Sequence, residues 1–163
     1  MDVWEEPQYP WLSAEKAAIH HWVKELQKPY LGVCLGHQLL GDALGGECGL
    51  QAEPEIGILT VELTEDGQSD PLFAGIDSEI PCLQWHSVEV RKMPRDSIVL
   101  ASSNDCRCQA MRVGEHAWGV QFHVELEEST IDDWSKVPSY ADALAATLGS
   151  DALTKMQADA ESN

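Results

Sequence analysis

The sequence has little positive charge, few cysteines and no long apolar run. Its 163 residues include 10 lysines and arginines against 28 acidic residues, a formal net charge of −18. Nucleic acids and anionic membranes are bound through basic patches, so this balance argues against both kinds of partner. No apolar run approaches the roughly 20 residues of a membrane helix. The start, MDVWEEPQYPW, lacks the basic residues and apolar core of a signal peptide, and we expect a soluble protein.

The five cysteines, at positions 34, 48, 82, 106 and 108, are odd in number and scattered. This usage fits a reducing cytoplasm better than a disulfide framework. The pair Cys106 and Cys108 has no second Cys or His pair at zinc-site spacing, so we expect two packed thiols on one face of a strand and no metal. The segment GDALGGECG lacks the Lys and Ser or Thr of a phosphate loop and predicts a helix end. No cofactor is expected.

The order of predicted elements indicates an α/β fold. SAEKAAIHHWVKELQ (13–27) predicts an amphipathic helix capped by Ser13, YLGV (30–33) a buried strand, and LGHQLLGDALGG (35–46) a second helix that ends at its glycines. Several strands follow between residues 55 and 125 without helices between them. The acidic segment 125–134 predicts a solvated loop or helix start, and 139–149 another helix.

No repeat, linker or second domain is visible. We therefore expect one domain over residues 1–150 and a polar C-terminal tail over 151–163. Trp4 and Trp11 are expected to be hydrophobic anchors near the start of the chain.

Cys34 lies between two glycines, after the predicted strand and before the second helix. A cysteine is more often a small buried hydrophobe than a nucleophile. However, Gly32 and Gly36 would leave room for a tight turn, as in a nucleophile elbow. The Leu35 amide would then face an oxyanion, and the helix N-terminus would lower the pKa of the thiol. Both interpretations stay open from these residues alone.

A thiolate nucleophile also needs a histidine base and an acid to orient it. His20 and His21 are expected on an exposed helix face, His37 in packing, and His116 in an exposed turn. His86 and His123 remain, and only His123 has a carboxylate two residues on, Glu125. Strand alternation would place these two side chains on one side.

These segments resemble the class I (triad-type) glutamine amidotransferases. GVCLGHQLL is similar to the Gly-x-Cys-x-Gly-x-Gln elbow of that family, and GVQFHVE to its Gly-x-Gln-Phe-His-Pro-Glu segment. WHSVEV is similar to a third stretch, in which a His-Ser pair precedes the strand beside the glutamine pocket. The resemblance extends from Met1 to about Thr147 and is nearest to the GMP-synthase-like members. It implies a flavodoxin-like mixed sheet flanked by helices.

The resemblance implies that Cys34 attacks the side-chain amide of L-glutamine and forms a γ-glutamyl thioester. His123 would be the general base and acid, and Glu125 would hold its tautomer. The substrate-binding residues implied are Leu35, which supplies one oxyanion donor, Gln38, His86 and Ser87. Family members pass the ammonia to a synthase domain or subunit, which is the partner implied here.

Two departures from the family pattern stand out. Val124 occupies the usual position of proline, a change that leaves the three triad residues in place. The start of the chain resembles a segment that in relatives follows two strands, a helix and a Gly-Gly-Pro loop with the second oxyanion donor. We therefore expect the sheet to lack its first strands.

Two other functions are compatible with the sequence. The same elbow could hydrolyse a γ-glutamyl peptide or conjugate instead of glutamine. Alternatively, the chain could be a non-catalytic, truncated regulatory subunit.

Overall fold

The computed structural model describes residues 1–125, 130–149, 153, 154 and 156. Helices and strands alternate first, and strands then dominate. The helices are α1 (Trp11–His20, extended by a π-helical turn at His21–Glu25), α2 (Leu35–Ala43), α3 (Glu65–Ser69, followed by a 3-10 turn at Pro71–Phe73), α4 (Thr130–Ser135) and α5 (Pro138–Leu148). The strands are β1 (Tyr30–Val33), β2 (Glu47–Leu63), β3 (Glu79–Lys92), β4 (Ser97–Ser102), β5 (Ala110–Val113) and β6 (Ala117–Val120).

The six strands form one mixed sheet in the order β1-β6-β5-β4-β2-β3. Only β1 and β6 pair in parallel, with Val33 opposite Val120, and every other neighbouring pair is antiparallel. The long strands β2 and β3 bring Glu55 opposite His86. The predicted mixed α/β fold is confirmed. Because parallel strands end at the same edge of a sheet, the residues after β1 and β6 are neighbours.

Buried apolar side chains form three clusters around the sheet. One lies under α1 and α2, one lies among β2 and the strands β4 to β6, and one lies under α4 and α5. Representative members are Leu12, Leu40 and Met111 in the first, Leu100, Val120 and Phe122 in the second, and Leu83, Ile131 and Leu144 in the third. Burying each large side chain contributes about 1.5–3 kcal/mol, so the clusters hold both ends of β1 and β6 in place.

The first helix differs from its prediction at both ends. It begins at Trp11, and Pro10 is its N-cap residue, so Ser13 lies inside the helix rather than capping it. Trp4 and Trp11 are exposed, whereas Leu12 is buried, and the expected anchoring role of the two tryptophans is wrong. Helical periodicity alone does not determine which face of α1 packs against the core, and so it did not distinguish Leu12 from Trp11.

Two segments that were predicted as strand lie outside the strands of the sheet. Residues 106–109 precede β5 and residues 121–125 follow β6, and none of them belongs to a named strand. Cys106 and Cys108 are buried and unpaired, but strand alternation is not the reason. Cys108 instead contacts the sulfur of Met93 at 3.6 Å.

Helix α5 confirms the predicted C-terminal helix, and most of the predicted tail, 151–163, lies outside the described residues. Within the described ranges, none of the helices is both long and apolar enough to span a bilayer.

Candidate active site

Cys34 lies at the sharp turn between β1 and α2. Its φ of 49° and ψ of −104° place a non-glycine residue at positive φ, which costs free energy. Two backbone hydrogen bonds hold it there. The Cys34 N–H donates to the Val120 carbonyl at 2.8 Å, and the Gln38 N–H donates to the Cys34 carbonyl at 3.2 Å. The strand, strained turn and helix of a nucleophile elbow are therefore present.

Gly32 and Gly36, which flank the elbow, are under different constraints. A Cβ at Gly32 would lie 2.3 Å from the Gly36 carbonyl oxygen and 2.8 Å from the His37 nitrogen. A Cβ at Gly36 would meet only the Tyr30 hydroxyl, at 3.6 Å. The expectation that both glycines relieve crowding therefore holds for Gly32 and is wrong for Gly36.

His123 and Glu125 follow β6 and are joined directly. The distance from His123 Nδ1 to Glu125 Oε1 is 2.6 Å, and the Val124 N–H donates to the other carboxylate oxygen at 2.9 Å. The backbone N–H of His123 donates to the Leu83 carbonyl at 2.9 Å, which anchors this segment to β3. Because β6 ends at Val120, strand alternation does not bring the two side chains together. The bond between His123 Nδ1 and Glu125 Oε1 joins them instead. With Nδ1 engaged by the carboxylate, Nε2 is the nitrogen left for proton transfer.

The Glu125 carboxylate is suited to hold His123. Partial burial raises the pKa of the Glu125 carboxyl, but hydrogen bonds from His123 and from backbone N–H groups outweigh burial and lower it overall. Glu125 is therefore ionised at neutral pH. An ionised acceptor on Nδ1 stabilises the imidazolium that forms when His123 takes a proton at Nε2.

Cys34 and the His123–Glu125 pair lie at the same edge of the sheet, because they follow adjacent parallel strands. The negative charge of Glu125 reaches the thiol and helps to raise its pKa. Among the described side chains, Cys34 Sγ accepts a hydrogen bond from Gln121 Nε2 at 3.7 Å, and not from His123. Contacts between a nucleophile and its base commonly tighten only when substrate binds.

The pKa of the Cys34 thiol is raised to about 11, so the expected lowering is wrong. Burial is the main cause, and the hydrogen bonds from the Leu35 backbone and the Gln121 side chain only partly offset it. The helix N-terminus contributes its N–H as expected, but desolvation of the thiolate costs more. Cys34 is thus a thiol at neutral pH, and a base would have to remove its proton before it could act as a nucleophile.

A cavity of about 330 Å³ opens in front of Cys34. The four predicted substrate-binding residues, Leu35, Gln38, His86 and Ser87, all line it together with Cys34. Trp85 adds an apolar wall. A concave site of this size with a few convergent polar groups suits a small molecule such as an amino acid.

His86 is fixed by a buried polar cluster. Its Nε2 lies 2.9 Å from Gln84 Oε1 and 3.4 Å from Glu55 Oε2, and its Nδ1 lies 3.2 Å from the Val88 carbonyl. Burial outweighs the help of that carbonyl and lowers the pKa of His86 to about 4. Glu55 was missed from the sequence, since only its position opposite His86 in the antiparallel register points to it.

Trp134 of α4 is a second residue that the sequence did not single out. Its ring meets the ring of His123 edge to face, with centroids 4.7 Å apart, and the ring of Trp85 at 5.6 Å. Of the two alternatives expected for the acidic segment 125–134, a solvated loop or a helix start, the helix start is confirmed, because α4 begins at Thr130. Its last residue, Trp134, packs against His123, and residues 126–129 lie outside the described residues.

The four remaining histidines do not line this cavity. His20 and His21 are exposed as expected, and His37 is buried as expected for a packing residue. His116 is half-buried, so the expected exposed turn is wrong at that side chain. Taken together, a thiol, an imidazole oriented by a carboxylate and an adjoining cavity can transfer an acyl group from an amide to water.

Comparison with known proteins identifies the family of the chain. Residues 6–133 match the sequence profile of the family described as glutamine amidotransferase class-I. The chain is 38% identical over 109 residues to a glutamine-hydrolyzing GMP synthase subunit from Sulfolobus acidocaldarius, covering 66% of this chain and 56% of that protein. It is 39% identical over 109 residues to the subunit of the same name from Archaeoglobus fulgidus, covering 66% and 58%.

A solved structure of a glutamine amidotransferase from Thermotoga maritima superposes with a TM-score of 0.85 at 28% identity. That superposition covers 99% of this chain and 66% of the other. The chain thus spans a little over half the length of the two curated relatives.

Proposed function

The chain belongs to the class I glutamine amidotransferase family, and from this membership and the site geometry we propose that it hydrolyses L-glutamine to glutamate and ammonia. The 2.6 Å bond between His123 and Glu125, at the strand end beside Cys34, carries this proposal. Cys34 lines the cavity, and His123 and Glu125 follow the strand that pairs in parallel with the strand before Cys34.

The reaction proceeds in two acyl transfers. Cys34 Sγ attacks the side-chain carbonyl carbon of glutamine as His123 Nε2 takes the thiol proton. His123 then gives that proton to the leaving nitrogen, ammonia departs, and a γ-glutamyl thioester remains on Cys34. In the second half, His123 takes a proton from water, the hydroxide oxygen bonds to the carbonyl carbon, and the proton returns to Cys34 as glutamate leaves.

The raised pKa of Cys34 makes the base essential to this sequence of steps. Because the pKa of the Cys34 thiol is about 11, only a very small fraction of the thiol is ionised at pH 7. A base must therefore accept the proton when the sulfur attacks. Glu125 stabilises the His123 imidazolium that results. The Leu35 N–H hydrogen-bonds the thiol, which supports its proposed role as one oxyanion donor once the acyl carbon is attached to sulfur.

The cavity walls hold the substrate. Gln38 donates to the Val88 carbonyl and to Gln121 Oε1, each at 3.1 Å, so both of its N–H groups are used. It therefore offers the substrate only its carbonyl oxygen, which suits the ammonium group of glutamine. His86 and Ser87 also line the cavity and complete the proposed binding set.

We further propose that the ammonia passes to a partner synthase subunit. The relatives from Sulfolobus acidocaldarius and Archaeoglobus fulgidus are each named as one subunit of a glutamine-hydrolyzing GMP synthase, which supports a GMP-synthase-type partner. Residues 1–150 would form the amidotransferase domain. A cytoplasmic location, expected from the cysteine usage, fits the five unpaired cysteines.

The direct test is glutamate release from L-glutamine, measured with and without the synthase subunit. We expect release by the wild-type protein, no release by Cys34→Ser, and unchanged release by the control Cys82→Ser, whose thiol lies in β3 and does not line the cavity. Release that survives in Cys34→Ser would contradict the proposal. Hydrolysis of γ-glutamyl peptides in preference to glutamine would replace the substrate but keep the mechanism.

A further inference from the structure

Gln121 is a buried amide that the proposed mechanism leaves without a role. It follows β6 directly, is fully buried, and its Nε2 lies 3.7 Å from Cys34 Sγ. Its backbone N–H donates to the Gln109 carbonyl at 2.8 Å, so both its backbone and its side chain are hydrogen-bonded. Gln121 is the described side chain that donates a hydrogen bond to the thiol, which raises the question of what this bond does.

The orientation of the Gln121 amide follows from hydrogen-bond chemistry. The Val88 backbone carbonyl can only accept, so the Gln38 amide must present its NH₂ group to that carbonyl, at 3.1 Å. The second N–H of this group then points to Gln121, at 3.1 Å, and requires an acceptor there. Gln121 therefore presents Oε1 to Gln38 and Nε2 to the sulfur. The opposite orientation would leave the buried Gln38 N–H facing another donor.

We propose that Gln121 is a catalytic residue that donates an N–H to Cys34 Sγ and stabilises the thiolate, and that Gln38 is a positioning residue that fixes the orientation of this donor. The proposal rests on the proposed role of Cys34 as nucleophile. A hydrogen bond to a neutral thiol contributes little free energy, whereas a hydrogen bond to a charged acceptor is about twice as strong as one to a neutral acceptor. The bond therefore favours the state in which His123 holds the proton.

Gln38 also connects the sulfur to the substrate cavity. It lines that cavity, and its amide is joined in sequence to Gln121 and then to Cys34. A substrate group that binds the Gln38 carbonyl polarises the Gln38 N–H, which strengthens the next bond in the chain. Substrate binding and thiolate formation are thus coupled through two amides.

The test measures Cys34 itself and does not need glutamine turnover. Alkylation by iodoacetamide is followed against pH, and the peptide that contains Cys34 is quantified by mass spectrometry. In Gln121→Met the thiol keeps its surroundings but loses the donor, and we expect its pKa to rise by about one to two units. At pH 8 the alkylation rate should fall about three- to tenfold, because loss of thiolate outweighs the higher intrinsic nucleophilicity.

Two further variants separate this effect from a loss of folding. Gln121→Glu keeps an acceptor for Gln38 but places a carboxylate oxygen near the sulfur, so its profile should shift in the same direction. Gln38→Met leaves the contacts of Sγ intact and should give a smaller shift. A merely structural Gln38 would lower the melting temperature and leave the alkylation profile unchanged.

Gln109→Met is the matched control, since Gln109 is an equally buried glutamine that directly precedes β5 and bonds Glu55 and Ser103. It should lose stability without moving the profile. Superimposable profiles of wild type and both Gln121 variants would overturn the proposal. If the variants do not fold, the wild-type Gln121 side-chain NH₂ resonance decides, because it should shift when Cys34 is alkylated while that of Gln109 should not. No shift would refute the proposal, whether or not the protein releases glutamate.

Discussion

Replacing Gly32 with alanine tests whether the elbow depends on a close backbone approach. The added Cβ would lie 2.3 Å from the Gly36 oxygen, 2.4 Å from the Gly36 carbonyl carbon and 2.8 Å from the His37 nitrogen. All three atoms belong to the backbone of α2, so no side-chain rotation relieves the overlap, and β1 and α2 must separate. We expect a loss of about 3 kcal/mol in the free energy of unfolding.

For a chain of this size, about 3 kcal/mol corresponds to a melting temperature roughly 6–12 °C lower. Glutaminase activity should fall more steeply than stability, because separation of β1 from α2 moves Cys34 relative to His123. Thermal unfolding followed by circular dichroism, together with glutamate release at a temperature where the variant is folded, measures both quantities.

Gly36→Ala is the matched control, since the same methyl group would meet only the Tyr30 hydroxyl at 3.6 Å. Alanine also favours the helical conformation, and stability should stay within about 1 kcal/mol of wild type. The reasoning is refuted if Gly32→Ala melts within about 2 °C of wild type with full activity. It is refuted equally if the two alanine variants are damaged to the same extent.

Two further predictions concern the histidines. Glu125→Gln keeps the side-chain size but replaces the charged acceptor of His123 Nδ1 with a neutral amide. We expect kcat to fall at least about 10²-fold with little change in KM. A kcat equal to that of wild type would exclude Glu125 as the orienting acid. Burial lowers the pKa of His37 and of His86 to about 4. Because the unfolded chain binds more protons than the folded chain between about pH 6.5 and pH 4, the free energy of unfolding should decrease as the pH falls through that window. His37→Leu should flatten this slope in chemical denaturation experiments, and an unchanged slope would show that His37 is solvated.

The elbow could be predicted because its causes are local. The apolar run before Cys34, the glycines and the helix pattern after it all lie within 18 residues, and these features specify strand, turn and helix. His123 and Glu125 could be predicted as a pair because they are two residues apart. The reason given for their contact was nevertheless wrong, since the chain leaves β6 at Gln121.

The parts that escaped prediction depend on distant contacts. Glu55 meets His86 only through the register of β2 and β3, and Trp134 reaches His123 only because α4 packs over Trp85. The pKa of Cys34 also had the wrong expected direction. A helix N-terminus can be recognised in a sequence, but the desolvation that outweighs it depends on how deeply the folded chain buries the sulfur.

The most direct test of the proposed function is to detect the γ-glutamyl thioester on Cys34. The protein is mixed with L-glutamine, quenched in acid during turnover and digested, and the Cys34 peptide is examined by mass spectrometry. We predict one added glutamyl group on Cys34 in the wild type, none on Cys48, and none anywhere in Cys34→Ser. Glutamate release without this adduct, at a rate that Cys34→Ser preserves, would contradict the assignment of Cys34 as the nucleophile.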